Sequence, residues 1–334
     1  RSVNGPPQVR TDFHRSVNGP PQVRPGRRLA SNGAPSSEHI QCVIDKLPSD
    51  LTESQRQRAI EFLLSKAHVF SRDEFDIGRT HVIEHEIDTG CHRPVKQALR
   101  RHPVAHLPLI DQHLEEIIRH DVIEPAASPW CSNVVLIRKQ DGSLRFYVDY
   151  RALNMCIYKD NFPLARIDTC LKALGGNEFY TTLDLRAGYW QTLIRPSDRD
   201  KTAFVTRKGQ WRFKVLSLGL CNAPSQFART MELVLSGLTY ESCLVYLDDV
   251  IIFGRSFDQH LERLNEVLCR LENANLKLKP SKCFVFQRKV TFLGHVVGKE
   301  GIECSPDKIE AVRSWPNLSN VGEVRTFLGL AGYY

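Results

Sequence analysis

Two adjacent carboxylates, Asp248 and Asp249, interrupt the most apolar stretch of the chain, Cys243 to Phe253. Carboxylates inside an apolar strand pair are costly unless something compensates them, and a bound cation is the simplest compensation. Consecutive side chains on a strand point to opposite faces, but at a tight hairpin turn both can converge on one place. A solvated Asp-Asp turn is the plain alternative. A third carboxylate, Asp184, stands alone in the apolar run Thr182-Leu183-Asp184-Leu185, with Gly188-Tyr189 close behind. If that strand lies beside the hairpin, three carboxylates meet. Hard oxygen ligands of this kind suit Mg²⁺, which keeps several waters and takes its remaining ligands from substrate phosphates. Two such ions, about 3.5–4 Å apart, activate a 3′-hydroxyl and stabilise a leaving pyrophosphate during in-line attack.

The elements that must position these groups read as follows. Thr52 and Gln55 form a capping-box pattern ahead of a helix carrying Ile60, Leu63 and Leu64, and order is expected to begin near Leu51. A second helix is suggested by Leu114, Ile117 and Ile118. Strand patterns at Val134 to Ile137 and Leu144 to Val148 flank Asp141-Gly142, a hairpin-turn signal. Phe179 to Ile194 reads as one strand region with a turn at Gly188. Phe227, Met231, Val234, Leu235 and Leu238 recur at helical spacing, as do Phe257, Leu261, Leu264, Leu268 and Leu271. Strand candidates Cys283 to Phe286 and Val290 to Val297 follow. This order implies an α+β domain with helices packed on an antiparallel sheet.

Several motifs resemble, in order, those of Ty3/gypsy-type and retroviral reverse transcriptases, over roughly Phe75 to the C-terminus. Ser128-Pro129-Trp130 through Val134 to Lys139, Asp141 to Phe146 and Val148 to Asn154 resemble the fingers signature. Leu183 to Gln191 resembles the first palm motif, and Leu218 to Phe227 the template-facing motif. Tyr246-Leu247-Asp248-Asp249 resembles the catalytic hairpin, and Phe292-Leu293-Gly294-His295 the primer grip. Ser217-Leu218 stand where family members often carry Pro-Phe, and Leu218 keeps an apolar side chain there.

The resemblance implies a right-hand polymerase fold, with fingers, an antiparallel palm sheet and an incomplete thumb. It assigns Asp184, Asp248 and Asp249 to two Mg²⁺ ions, with Mn²⁺ as a substitute, and the Leu185 carbonyl as a further ligand. Lys139 and Arg145 fall where the family holds the triphosphate; their cations suit phosphate oxygens, though either one alone, without the surrounding motif, reads more readily as an ordinary solvated charge. Tyr189 falls at the steric gate that rejects a 2′-hydroxyl; without the motif it is a core aromatic. Gly219 and Pro224 imply a backbone close to nucleotide and template, with Gln226 beside the template or packed beneath it. Phe292, Leu293, Gly294 and His295 would hold the primer. The implied partners are an RNA template, a DNA primer or template, and dNTPs; oligomeric state is left open.

Composition agrees without adding much. In 334 residues, 45 Lys and Arg against 38 Asp and Glu give a formal charge of +7, mildly favouring an anionic partner. Ten cysteines without a Cys-x-x-Cys pair read as reduced thiols of an intracellular protein, in cytoplasm, virus-like particle or nucleus. No stretch is apolar and long enough for a membrane helix. Asp88-Thr89-Gly90 matches the aspartic-protease triplet but lacks a protease-sized segment before it, so a turn is the preferred reading. His81 and His85, on a strand pattern, would stand about 13 Å apart, too far to share zinc. Arg93, Lys96, Arg100 and Arg101 read equally as a template contact or an exposed basic face.

The expected organisation is a disordered, repeat-containing leader over 1–37, a lead-in with one helix over 38–92, fingers and palm over 93–297, and the start of a truncated thumb over 298–334. The leader repeats one decapeptide, Arg1 to Arg10 and Arg15 to Arg24. The truncation opens a second reading, a non-catalytic nucleic-acid-binding remnant. A third, an RNA-dependent RNA polymerase, is opposed by Tyr189 and by the Tyr-x-Asp-Asp form of the hairpin.

Overall fold

The computed structural model describes residues 37–138, 144–163 and 166–332. The leader repeat, the Asp141-Gly142 turn and Lys139 lie outside the described residues.

Phe179–Asp184, Asp249–Gly254, Cys243–Tyr246 and Phe284–Gln287 form a four-stranded sheet in which every pairing is antiparallel. Its strands lack simple polar alternation because both faces are covered. Val250 and Ile252 face a core with Phe227, Met231, Leu264 and Leu268 from the helices Ala223–Val234 and Phe257–Asn273. Ile251 and Phe253 face the opposite way, into a cluster with Val290, Phe292 and Val297. This is the expected palm sheet. Ser256 caps the second helix by accepting a hydrogen bond from Gln259 N, which fixes where the apolar stripe begins.

A five-stranded sheet, in the order Ile123–Pro125, Gly209–Phe213, Phe204–Thr206, Ser132–Arg138, Leu144–Val148, occupies the region expected to form the fingers. It is mixed: Ser132–Arg138 runs parallel to Phe204–Thr206, the other pairings being antiparallel. Helix Leu107–Arg119 joins its core through Ile110, Leu114 and Ile117, whereas Ile118 lies at the surface. Tyr189 packs against both the palm and the fingers clusters, at the seam between them.

Order begins earlier than Leu51. Helical turns Ser37–Ile40 and Gln41–Ile44 bury Ile40, Val43 and Ile44 in the palm core, so residues 38–92 carry more than one helix. The Thr52/Gln55 capping box is present at Glu53–Ser65, with Leu63 buried and Leu64 exposed. Phe179 to Ile194 is not one strand region. Phe179–Asp184 belongs to the palm sheet, whereas Thr192–Ile194 pairs in parallel with Thr80–His85, because the left-handed residue Ala187 and the tight turn Gly188–Gln191 redirect the chain. Val290 to Val297 likewise divides into Lys289–Phe292 and His295–Gly298, which pair antiparallel in a sheet with Gly301–Cys304. Helices Pro306–Arg313 and Val321–Ala331 bury no residue, and Trp315, just beyond the first, meets Phe327 of the second edge to face at 5.7 Å. Among the described residues no helix is long and apolar enough to cross a membrane. All ten cysteines are free thiols.

Candidate active site

Asp184 ends one palm strand and Asp249 begins its neighbour, and the two are direct partners across the ladder. Opposed residues of an antiparallel pair project from the same face, so these carboxylates share the face that carries Phe292. Asp249 also pairs with Tyr246 across the two-residue turn Leu247-Asp248. Leu247 has φ 57°, a left-handed conformation that costs a side-chain-bearing residue on the order of 1 kcal/mol. The turn thus sets Asp248 next to the opposed pair.

Lys282 is the counter-charge. Its Nζ donates to Asp184 Oδ2 at 2.8 Å, and this hydrogen bond, reinforced by the charges of all three aspartates, raises the ammonium above the usual lysine range. The Asp249 carboxyl is pushed up, first by burial and then by the negative charges of Asp248 and Asp184, with Lys282 opposing. Three carboxylates that repel one another at the end of an apolar sheet form a donor set suited to hard divalent cations. Among the described residues, however, no three His, Cys, Asp or Glu side chains stand close enough as placed to hold an ion. Asp184 is instead engaged by Lys282.

Two clefts meet at this cluster, and Asp184 and Lys282 line both. The first, about 530 Å³, adds Asp249, Lys289, Phe292 and Leu293. The second, about 520 Å³, adds Arg145, Leu185, Tyr189, Leu218, Asp248 and Lys279. Backbone bonds from Lys279 N to Asp184 O and from Arg186 N to Lys277 O, at 2.8 and 2.9 Å, bracket the peptide bearing the Leu185 carbonyl. Arg145 donates to the Tyr147 hydroxyl at 3.0 Å, which holds its exposed guanidinium beside that ring. Tyr189 rests edge-on against Phe227, ring centroids 5.5 Å apart.

The other expected residues lie further back. Gly219 takes φ 97°, where a side chain would be strained, and its carbonyl accepts from Asn154 Nδ2 at 2.8 Å. Pro224 opens the helix in which Gln226 and Phe227 are buried, so Gln226 packs beneath the surface rather than lining either cleft. Leu293 and Gly294 have φ 50° and 78°, the doubly left-handed pattern of a tight hairpin turn between Phe292 and its partner His295. His295 is buried behind Phe292 and Leu293 rather than lining the first cleft. The sequence reading missed Lys282 and Lys279, although the lysine-rich run Lys277-Leu278-Lys279-Pro280-Ser281-Lys282 stands out as a charge cluster.

Residues 137–297 match the family Reverse transcriptase (RNA-dependent DNA polymerase). The Retrovirus-related Pol polyprotein from transposon 297 of Drosophila melanogaster is 36% identical over 262 residues, 76% of this chain and 25% of that protein. The corresponding polyprotein from transposon gypsy of the same organism is 35% identical, over 67% of this chain and 22% of that protein. The Transposon Tf2-3 polyprotein of Schizosaccharomyces pombe is 28% identical, over 69% of this chain and 17% of that protein. The chain therefore spans about a quarter or less of the length of these relatives. Among solved structures, the foamy viral protease-reverse transcriptase in complex with double-stranded DNA superposes with a TM-score of 0.81 at 21% identity, over 93% of this chain and 54% of that one, which shows the α+β polymerase fold. Residues 137–297 are thus a reverse-transcriptase domain, and the chain belongs with the retrovirus-related Pol polyproteins of gypsy-type transposons.

Proposed function

We propose that this chain is an RNA-directed DNA polymerase that extends a DNA primer on an RNA or DNA template, with Asp184, Asp248 and Asp249 holding two Mg²⁺ or Mn²⁺ ions. The observation that carries this reading is the placement of Asp184 opposite Asp249, with Asp248 on the adjoining turn, where two clefts meet. Bound divalent ions supply the charge that activates a 3′-hydroxyl and stabilises a leaving pyrophosphate. The protein's own groups do the rest. Phe292 and Leu293 hold the primer end in the first cleft, backed by Gly294 and His295. Arg145, with Lys139, binds the triphosphate of a dNTP in the second. Tyr189, braced by Phe227, lies under the sugar and excludes a 2′-hydroxyl. Gly219 and Pro224 shape the backbone nearby, with Gln226 packed beneath, to admit nucleotide and template.

Primer extension on an RNA template with Mg²⁺ tests this: the wild-type chain incorporates dNTPs in preference to rNTPs, and Asp249→Asn abolishes incorporation. Incorporation that survives Asp249→Asn would refute the site. A second reading, nucleic-acid binding without catalysis, is favoured by the engagement of Asp184 with Lys282 and the absence, among the described residues, of three converged acidic side chains. Primer–template binding with no extension would support it.

A further inference from the structure

Asp184 needs a cation and already has one. Lys282 Nζ occupies Asp184 Oδ2 at 2.8 Å, and among the described residues no other ion pair involves the three carboxylates. The Asp184 side chain is 17% exposed and that of Lys282 58%, so the ammonium reaches in from solvent to a carboxylate that is mostly shielded. The approach is built into the fold. The Lys279 N to Asp184 O bond pins the segment entering the Pro280–Lys282 turn against the end of the Asp184 strand. Lys282 lines both clefts, beside Asp249 in the first and beside Asp248 in the second.

We propose that Lys282 is an internal counter-cation that holds Asp184 until a divalent ion displaces it, so that breaking this ion pair sets the affinity of the site for metal. The proposal rests on the reading of the three aspartates as a divalent-cation site. With Lys282 in place the cluster carries three negative charges and one positive, which limits the repulsion that burial would otherwise amplify. A divalent ion that takes the Asp184 oxygen held by the ammonium breaks the pair, so its net binding energy is reduced by that of the pair. A partly exposed pair is worth at most about 1 kcal/mol, equivalent to about fivefold in affinity.

The experiment is titration of the chelator-treated full chain with Mn²⁺ at constant ionic strength, free Mn²⁺ being read by electron paramagnetic resonance. Lys282→Met keeps the length of the side chain and removes its charge; it should tighten Mn²⁺ binding about fivefold. Lys279→Met removes a charge from the same cleft but leaves the pair intact, and should change affinity less than about twofold. Lys282→Arg keeps the pair and should bind Mn²⁺ no more tightly than wild type. Equal tightening in Lys279→Met and Lys282→Met would mean that the general field, not displacement, governs binding, and would overturn the proposal. Unchanged or weaker binding by a folded Lys282→Met, with wild type still binding, would also overturn it while leaving the metal site standing. No Mn²⁺ binding by either protein would remove the cation site itself. If Lys282→Met does not fold, tighter binding by Lys282→Arg than by wild type is the overturning result.

Discussion

Gly188 lies between the strand that ends at Asp184 and Tyr189, and the space around it allows a quantitative test. A Cβ added there would stand 2.9 Å from Phe227 Cζ and 3.3 Å from Cε2, where carbon atoms pack best at about 3.5–4.0 Å. Phe227 is fully buried, with the Tyr189 ring against it, so the ring cannot swing out to solvent. Either Phe227 moves by about half an ångström or more within a packed core, or the turn lifts and carries Tyr189 with it. Overpacking of this size costs about 1–3 kcal/mol, offset by about 0.4–1 kcal/mol from the stiffer unfolded chain, which leaves Gly188→Ala destabilised by about 1–2 kcal/mol in urea unfolding. Phe227→Leu removes the opposing ring atoms. The double variant should therefore be more stable than the sum of the single effects predicts, by about 1 kcal/mol. If the two effects add to within about 0.5 kcal/mol, the contact does not explain the glycine. Because the same turn aims Tyr189, Gly188→Ala should also lower discrimination between dNTP and rNTP, and Phe227→Leu should not restore it fully.

Two further outcomes follow from the site and its surroundings. Arg145→Ala should raise the KM for dNTP about tenfold or more in steady-state primer extension, the worth of a charged hydrogen bond to phosphate; an unchanged KM would remove Arg145 from the nucleotide cleft. The Asp149 carboxyl is held at about 2, chiefly by the paired hydrogen bonds from Arg151 Nε and Nη2, each 2.8 Å. A carboxyl whose folded pKa is depressed contributes stability that is complete above its unfolded value, about 3.9, and is lost as pH falls through the folded one. Acid unfolding followed by circular dichroism between pH 4 and 2 should therefore show a loss of stability that Asp149→Asn diminishes. An identical profile in that variant would refute the assignment.

What could be read in advance, and what could not, follows from where the information lies. The paired aspartates stood out because the strand after the turn is buried on both faces: Val250 and Ile252 pack one way, Ile251 and Phe253 the other, so any carboxylate in that run is conspicuous. The capping box at Thr52 was readable because both of its hydrogen bonds are local, Thr52 N to Gln55 Oε1 and Gln55 N to Thr52 Oγ1. The division of Phe179 to Ile194 between two sheets was not. It depends on Ala187, φ 47°, adopting a conformation that alanine rarely takes and on Thr80–His85 being available as a partner more than 100 residues away. The break in Val290 to Val297 had a signal that went unused, since glycine inside an apolar run marks a turn. Ile40, Val43 and Ile44 were passed over because too few apolar residues stand together there to form a core of their own; they become core only against the palm.

Lys282 belongs to the same class of tertiary information, and it clarifies why the acidic residues lie where they do. In the interior of this sheet a carboxylate would meet apolar side chains on either face and have no route to a counter-ion. At the strand ends the apolar cover stops: Asp184 closes its strand, Asp249 opens the next, and Asp248 sits on the turn between Tyr246 and Asp249. There the three carboxylates gather, Asp184 part-buried and Asp248 and Asp249 exposed, beside two clefts, and there the lysine-bearing turn after Leu278 reaches Asp184. The burial that pushes the Asp249 carboxyl up is therefore the same feature that makes an added positive charge valuable at this spot.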